Sequence, residues 1–287
     1  MTRLGDFMAA AARRPLSDDA AEAAKRHILA TFAVMISGAA LPPGQTAMKF
    51  ARVNALNVLS DAPMNGCTVV GSKVLCGPMD AALANGMLAH PHAPAPSHPG
   101  CSVVPAALAA GELFAGDGLR FLRAVALGYD VANTHSIESD FGAAAAAGCM
   151  AGLNAQQMRW LLDYASQQAS TITAWRRDAD QLEKSLVLGG FPARNGVSAA
   201  VLAQLDGTGT DADFFCAGKF PLSSAPGAGI DQSGVRCEVT TRQEVVAQSR
   251  ELMTPFLGTL QTTELIETVL RLETVASIRD LRPLLQG

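Results

Sequence analysis

Strand-forming sequence is nearly confined to one stretch of this chain, Thr68-Val-Val, Gly71-Ser72 and Lys73-Val-Leu, and most of the rest carries helix signals. β-Branched residues on both sides of a turn dipeptide suit a hairpin, and a lone hairpin is marginal unless it leans on other elements. The chain is therefore predicted to be all-α, a compact multi-helix body with one short β-hairpin. Of its 287 residues 49% are apolar and only 17% charged, which is enough to bury a sizeable core.

The helices show their ends. Ser17 before Asp18 and Asp19 is an N-cap followed by acids that favour the positive end of the helix dipole, and Gly38 closes that helix. Proline in the first helical position marks a helix from Pro78 to His90 and another from Pro105. Further helices are predicted over 119–131, 141–151, 155–170 and 193–204, with Asn154 and Gln157 forming a capping box. Thr241 and Glu244 repeat that pattern before a helix over 245–253, and Ser277 with Asp280 opens a last short one. Alanine and glycine dominate several of these segments and aromatics make up 5% of the chain, so close helix-on-helix contact has to hold the body together. The organisation read from this is a helical domain over 1–220, a Pro/Gly-rich linker or trimmed segment over 221–239, and C-terminal helices over 240–287 that pack back on it.

Charge and cysteine usage narrow the function classes. Lys and Arg total 22 against 26 Asp and Glu, a formal charge of −4, which argues against a nucleic-acid surface. The longest uncharged apolar run, 28–41, falls short of the roughly 20 residues of a membrane span, so no membrane partner is expected. No secretory signal is evident near the start, and a cytoplasmic setting is expected. The six cysteines form no Cys-x-x-Cys pair and read as small apolar fillers; Cys67 and Cys76 would face each other across the hairpin.

Three histidines, His90, His92 and His98, flank or lie in the Pro-rich segment 91–99, and a fourth, His135, follows another helix. No His-Glu-x-x-His pattern accompanies them, so no metal is expected. Gly-x-Ser-x-Gly and Gly-x-Gly-x-x-Gly are both absent from the sequence. What remains is general acid/base chemistry on an anionic small molecule, which needs a group poised near neutrality and cations to hold carboxylates. Lys184 and Arg194 lie in a glycine-containing connection ahead of a helix N-terminus, where backbone N–H groups are also available to an anion. A Lys–Glu surface pair and an ordinary glycine turn account for the same residues equally well.

Five segments, Ala82-Leu-Ala-Asn-Gly-Met-Leu-Ala-His90, Ser97-His-Pro-Gly-Cys-Ser-Val-Val-Pro, Gly128-Tyr-Asp-Val, Phe141-Gly-Ala-Ala-Ala-Ala-Ala-Gly and Pro192-Ala-Arg-Asn-Gly, resemble in this order the MmgE/PrpD family. That family includes 2-methylcitrate dehydratase, cis-aconitate decarboxylase and iminodisuccinate epimerase. The resemblance implies a helical main domain with a smaller α+β lid, a homodimer, and cofactor-independent lyase or isomerase chemistry on a small di- or tricarboxylate. By the same resemblance His135, His98 and Lys184 are the catalytic candidates, and His90 and Arg194 the substrate-binding ones. His135 is the first choice for acid/base work. The sequence also departs from the family pattern. Where the family has an aspartate-rich turn after its Ala-His, this chain has Pro91-His-Ala-Pro-Ala-Pro with no acid, and almost no length is left for a lid. A catalytically degenerate relative that binds a ligand or dimerises is the alternative.

Overall fold

The computed structural model describes residues 4–56, 66–92, 98–133, 139–169, 180–205, 207–208 and 241–287. The described elements are helices apart from one two-stranded antiparallel sheet. In chain order they are α1 (Leu4–Ala11), α2 (Asp18–Gly38), α3 (Pro42–Val53), β1 (Cys67–Thr68), β2 (Leu75–Cys76), α4 (Pro78–Ala89), α5 (Gly100–Leu113), α6 (Gly118–Ala132), α7 (Ser139–Ala151), α8 (Ala155–Gln168), α9 (Gln181–Ser185), α10 (Phe191–Gln204), α11 (Arg242–Leu270) and α12 (Arg282–Leu285). A π-helical turn, Leu186–Gly190, joins α9 to α10 without a break, and single 3-10 turns cover His90–His92, Leu272–Thr274 and Ile278–Leu281.

The caps read from the sequence form, and Asp117 and Asp180 supply two that were not read. Ser17 accepts from the Ala20 N–H, Asp117 from Arg120, and the reciprocal boxes at Asn154–Gln157, Thr241–Glu244 and Ser277–Asp280 are all closed. Each satisfies amide donors that a helix start otherwise leaves open.

α7 is the central helix. Ala143 to Ala147 are all fully buried, so every side of this turn-and-a-half meets protein, with α5, α6 and α10 around it. A helix surrounded in this way needs small residues on every face. Gly196 of α10 lies so close that a Cβ there would come within 2.6 Å of the Ala143 carbonyl carbon. Burial of many small side chains at close backbone approach therefore replaces the aromatic clusters that the composition does not supply.

The hairpin leans on its neighbours as its size requires. Asn85 of α4, fully buried, accepts from the Val70 N–H at 2.9 Å and donates to the Thr68 carbonyl at 2.8 Å. Thr68 donates through its amide (2.6 Å) and hydroxyl (2.7 Å) to the buried Glu112 carboxylate of α5. Arg282 closes the same carboxylate from the C-terminal segment at 2.9–3.0 Å and also donates to the Gly66 carbonyl. Cys67 pairs with Cys76 across the ladder, as the turn position predicts, and each remains a free thiol donating to a different carbonyl, Ala109 and Ala51.

Three expectations need correction. α5 begins at Gly100, not Pro105, which lies inside it. The initiating proline is Pro99, already in helical conformation, whose carbonyl accepts from Ser102 and Val103. The C-terminal helix runs beyond 253 to Leu270 and is broken at Gly258 (φ 76°, ψ 166°), three residues after Pro255. Gly189 and Gly190 do not form a connecting turn ahead of a helix, because they sit within the helical run Gln181–Gln204. Among the described residues this run is long and apolar enough to cross a membrane, and most of it is buried in the protein, as a core helix is. α11 packs along α2, and the Leu285 carbonyl accepts from the Gly71 N–H, which ties the last helix to the hairpin. The proposed linker, 221–239, lies outside the described residues.

Candidate active site

His98 precedes α5 and caps it. Its Nδ1 accepts the Gly100 N–H at 3.1 Å, and its carbonyl accepts from Cys101. With the Pro99 carbonyl taking Ser102 and Val103, the first-turn amides of α5 are closed within the protein and present no anion site. The ring lies beside His27 of α2 and Tyr129 of α6, with centroids at 6.2 and 6.1 Å, and His27 approaches Tyr129 at 4.4 Å. Burial, with the neighbouring His27 adding to it, pushes the His98 pKa down from 6.5 to about 4. His98 is thus a neutral imidazole at neutral pH. With Nδ1 engaged as an acceptor the proton resides on Nε2, which makes the ring a hydrogen-bond donor rather than a base. A neutral imidazole donor polarises a carbonyl or carboxylate without carrying charge into the site.

Gly100 is where this arrangement is tightest. A Cβ there would lie 2.7 Å from Tyr129 Oη and 2.9 Å from His98 Nδ1. Only glycine lets the capping imidazole and the phenol close on the same point.

His90 forms the C-cap of α4 and is 5% exposed. The π-helical turn crosses α4 just before it, with Gly189 over Gly86 and the His90 Cβ 3.5 Å from where a Gly189 Cβ would lie. α9, carrying Lys184, packs against α3, α4 and the His90–His92 turn. Lys184 is half-buried, and its ammonium makes no hydrogen bond or ion pair with any of the described residues. The thiol of Cys101, at the start of α5, points to the Ala89 carbonyl at 3.8 Å, so His98 and His90 stand at adjoining helix ends.

Arg194 is not brought into that group. It is exposed, its guanidinium lies over the Phe191 ring 5.2 Å from the centroid, and Nη2 donates to Asn195 Oδ1 at 3.2 Å. Its positive field opposes the upward shift that burial imposes on Asp80 at the other end of α4. His135 falls in 134–138, outside the described residues.

Sequence reasoning missed three groups. His27 sits on a helix read only as core packing, and nothing in its spacing marks it as a neighbour of His98. Asp130 and Asp140 are both buried carboxylates, at the end of α6 and the start of α7. Asp140 looks like an ordinary first-turn acid, and only its 6% exposure sets it apart. No group of three or more His, Cys, Asp or Glu among the described residues is arranged to hold a metal ion. The described cysteines are inert: burial raises Cys76 to about 11, Cys101 and Cys149 to about 12, and Cys67 further.

The model of the MmgE/PrpD N-terminal domain matches residues 2–218, three quarters of the chain. A search of curated proteins finds no match. The match spans α1 to α10 and includes His90, His98, Lys184 and Arg194, so the chain belongs to the MmgE/PrpD family, a family of dehydratase and lyase type.

Proposed function

We propose that the protein is a cofactor-independent lyase or isomerase that acts on a small di- or tricarboxylate. The observation that supports this reading is the Lys184 ammonium, which pairs with none of the described residues, on a helix packed against the His90 turn. A half-buried cation with no counter-ion among the described residues suits a carboxylate ligand, because desolvation strengthens the pairing. In this scheme Lys184 neutralises charge developing on the carboxylate next to the reacting carbon. His98 donates through Nε2 to the same group. The proton on the α-carbon then falls to another base, and His135 is the candidate. The reading also carries a homodimer in the cytoplasm, with neither cofactor, metal, nucleic acid nor membrane as partner.

The test is proton exchange by NMR in heavy water with citrate, 2-methylcitrate, cis-aconitate and related diacids. Exchange that disappears in His135→Ala and Lys184→Ala is the expected result. A specific observation favours a second reading, a non-catalytic relative: His98 Nδ1 is committed to capping α5, and no acid occurs between residues 91 and 99. Ligand binding without exchange across the whole panel would establish that alternative.

A further inference from the structure

Asn195 lies beside Arg194 on α10, is 4% exposed, and makes three hydrogen bonds with described residues. Its Nδ2 donates to Asp140 Oδ1 and to the Gln168 carbonyl, both at 3.2 Å, and its Oδ1 accepts from Arg194 Nη2 at 3.2 Å. The amide has one workable orientation. Exchanging its nitrogen and oxygen would set an oxygen against a carboxylate and a carbonyl, and an N–H donor against a guanidinium. The buried carboxylate of Asp140, on α7, therefore fixes which way the Asn195 carbonyl points, and with it one edge of the exposed guanidinium. Phe191 fixes the face.

We propose that Asp140, acting through Asn195, is a positioning residue for Arg194. It holds the guanidinium so that its remaining N–H groups meet a carboxylate of the ligand. This rests on the polycarboxylate reading above and adds to it. Arg194 stands apart from Lys184, ten residues further along the same helical run, so the carboxylate it takes in this scheme is a second one, remote from the reacting carbon. The merely structural alternative is that Asp140 and Asn195 staple α10 to α7. It predicts a stability loss and nothing at Arg194.

Two readouts separate these. The first is the rate at which phenylglyoxal labels Arg194, followed by peptide mass spectrometry. The second is tricarballylate affinity by titration calorimetry. In Asn195→Ala and Asp140→Ala, labelling should rise about 2- to 10-fold, the size expected for one lost hydrogen bond, and affinity should fall by a similar factor. Asp140→Asn, which keeps an acceptor, should restore both towards wild type. If an alanine variant fails to fold, Asn195→Ser removes the same amide with less loss of polarity. Unchanged labelling in a folded variant overturns the proposal. So does raised labelling with wild-type affinity. Raised labelling when no protein binds tricarballylate, wild type included, retires the polycarboxylate reading and upholds the Asp140–Asn195–Arg194 linkage.

Discussion

Gly189 crosses Gly86 so closely that a Cβ on either residue would overlap the carbonyl oxygen of the other. This contact sets the π-helical turn against α4 and, one turn further along, brings α9 with Lys184 to the His90 end of α4. π-Helical turns inside α-helices recur at functional sites, and here the extra residue in the turn changes the direction in which the preceding helix presents its side chains.

Gly86→Ala and Gly189→Ala should each destabilise the protein by ~1–3 kcal/mol through overpacking against backbone that has no side chain to move aside. Both changes relieve at the same crossing, so the double variant should cost less than the sum. Urea denaturation of the three variants measures this. Strictly additive losses would show that the crossing does not couple the two positions.

Acid should weaken the fold through His98. Its pKa is about 4 in the native protein against 6.5 when exposed, so between these values the unfolded chain binds more protons and stability falls as the pH is lowered. The contribution is fully present above pH 6.5 and reaches ~3 kcal/mol at most. Replacing the ring by His98→Gln should flatten the dependence of the urea midpoint between pH 6.5 and 4. An unchanged slope would mean that other groups produce it.

The Glu112–Arg282 pair is buried at its acidic end and joins the C-terminal segment to the hairpin. Arg282→Met should cost ~3–5 kcal/mol, because it leaves a desolvated carboxylate with one fewer donor. Hydrogen exchange should then quicken in residues 271–287 before it does in α7. Uniform loss of protection across the chain would show that the segment does not open separately.

Gly258 offers the opposite case to Gly86. Nothing lies within 4 Å of a Cβ placed there, so any cost of Gly258→Ala comes from its backbone conformation alone. In that region of φ and ψ the penalty is ~1–3 kcal/mol. A thermal melt that shows no loss would mean that α11 straightens when the glycine is replaced.

Much of this architecture was legible because it rests on local chemistry. Ser17, Asn154, Thr241 and Ser277 act as caps through their own side chains and the next few amides, and each cap forms as the sequence indicates. The hairpin position follows from β-branched residues around Gly71-Ser72. Pro105 misled because a proline tells that a helix includes it near the start, while the amides that close the first turn belong to residues after Pro99. Gly189-Gly190 misled for a different reason: the pair reads as a break until α4 supplies a glycine to cross it. At the site, His90, His98 and Lys184 were named through motif order; the structure sets His90 and His98 at adjoining helix ends and packs the helix of Lys184 against the His90 turn, whereas Arg194 stands apart. His27 and Asp140 carry no local signal, and Asp130 was read only as part of the segment Gly128-Tyr-Asp-Val. Their significance is burial and neighbourhood, which only the assembled helices create.

The tie between Leu285 and Gly71, with Arg282 against Glu112, bears on where this molecule can be divided. The stretch that matches the family model ends at 218, yet a carboxylate inside it takes its counter-charge from residue 282. Cutting the chain at the edge of the matched region would therefore leave an incomplete folding unit, and the final few dozen residues must be kept when the protein is shortened or joined to another.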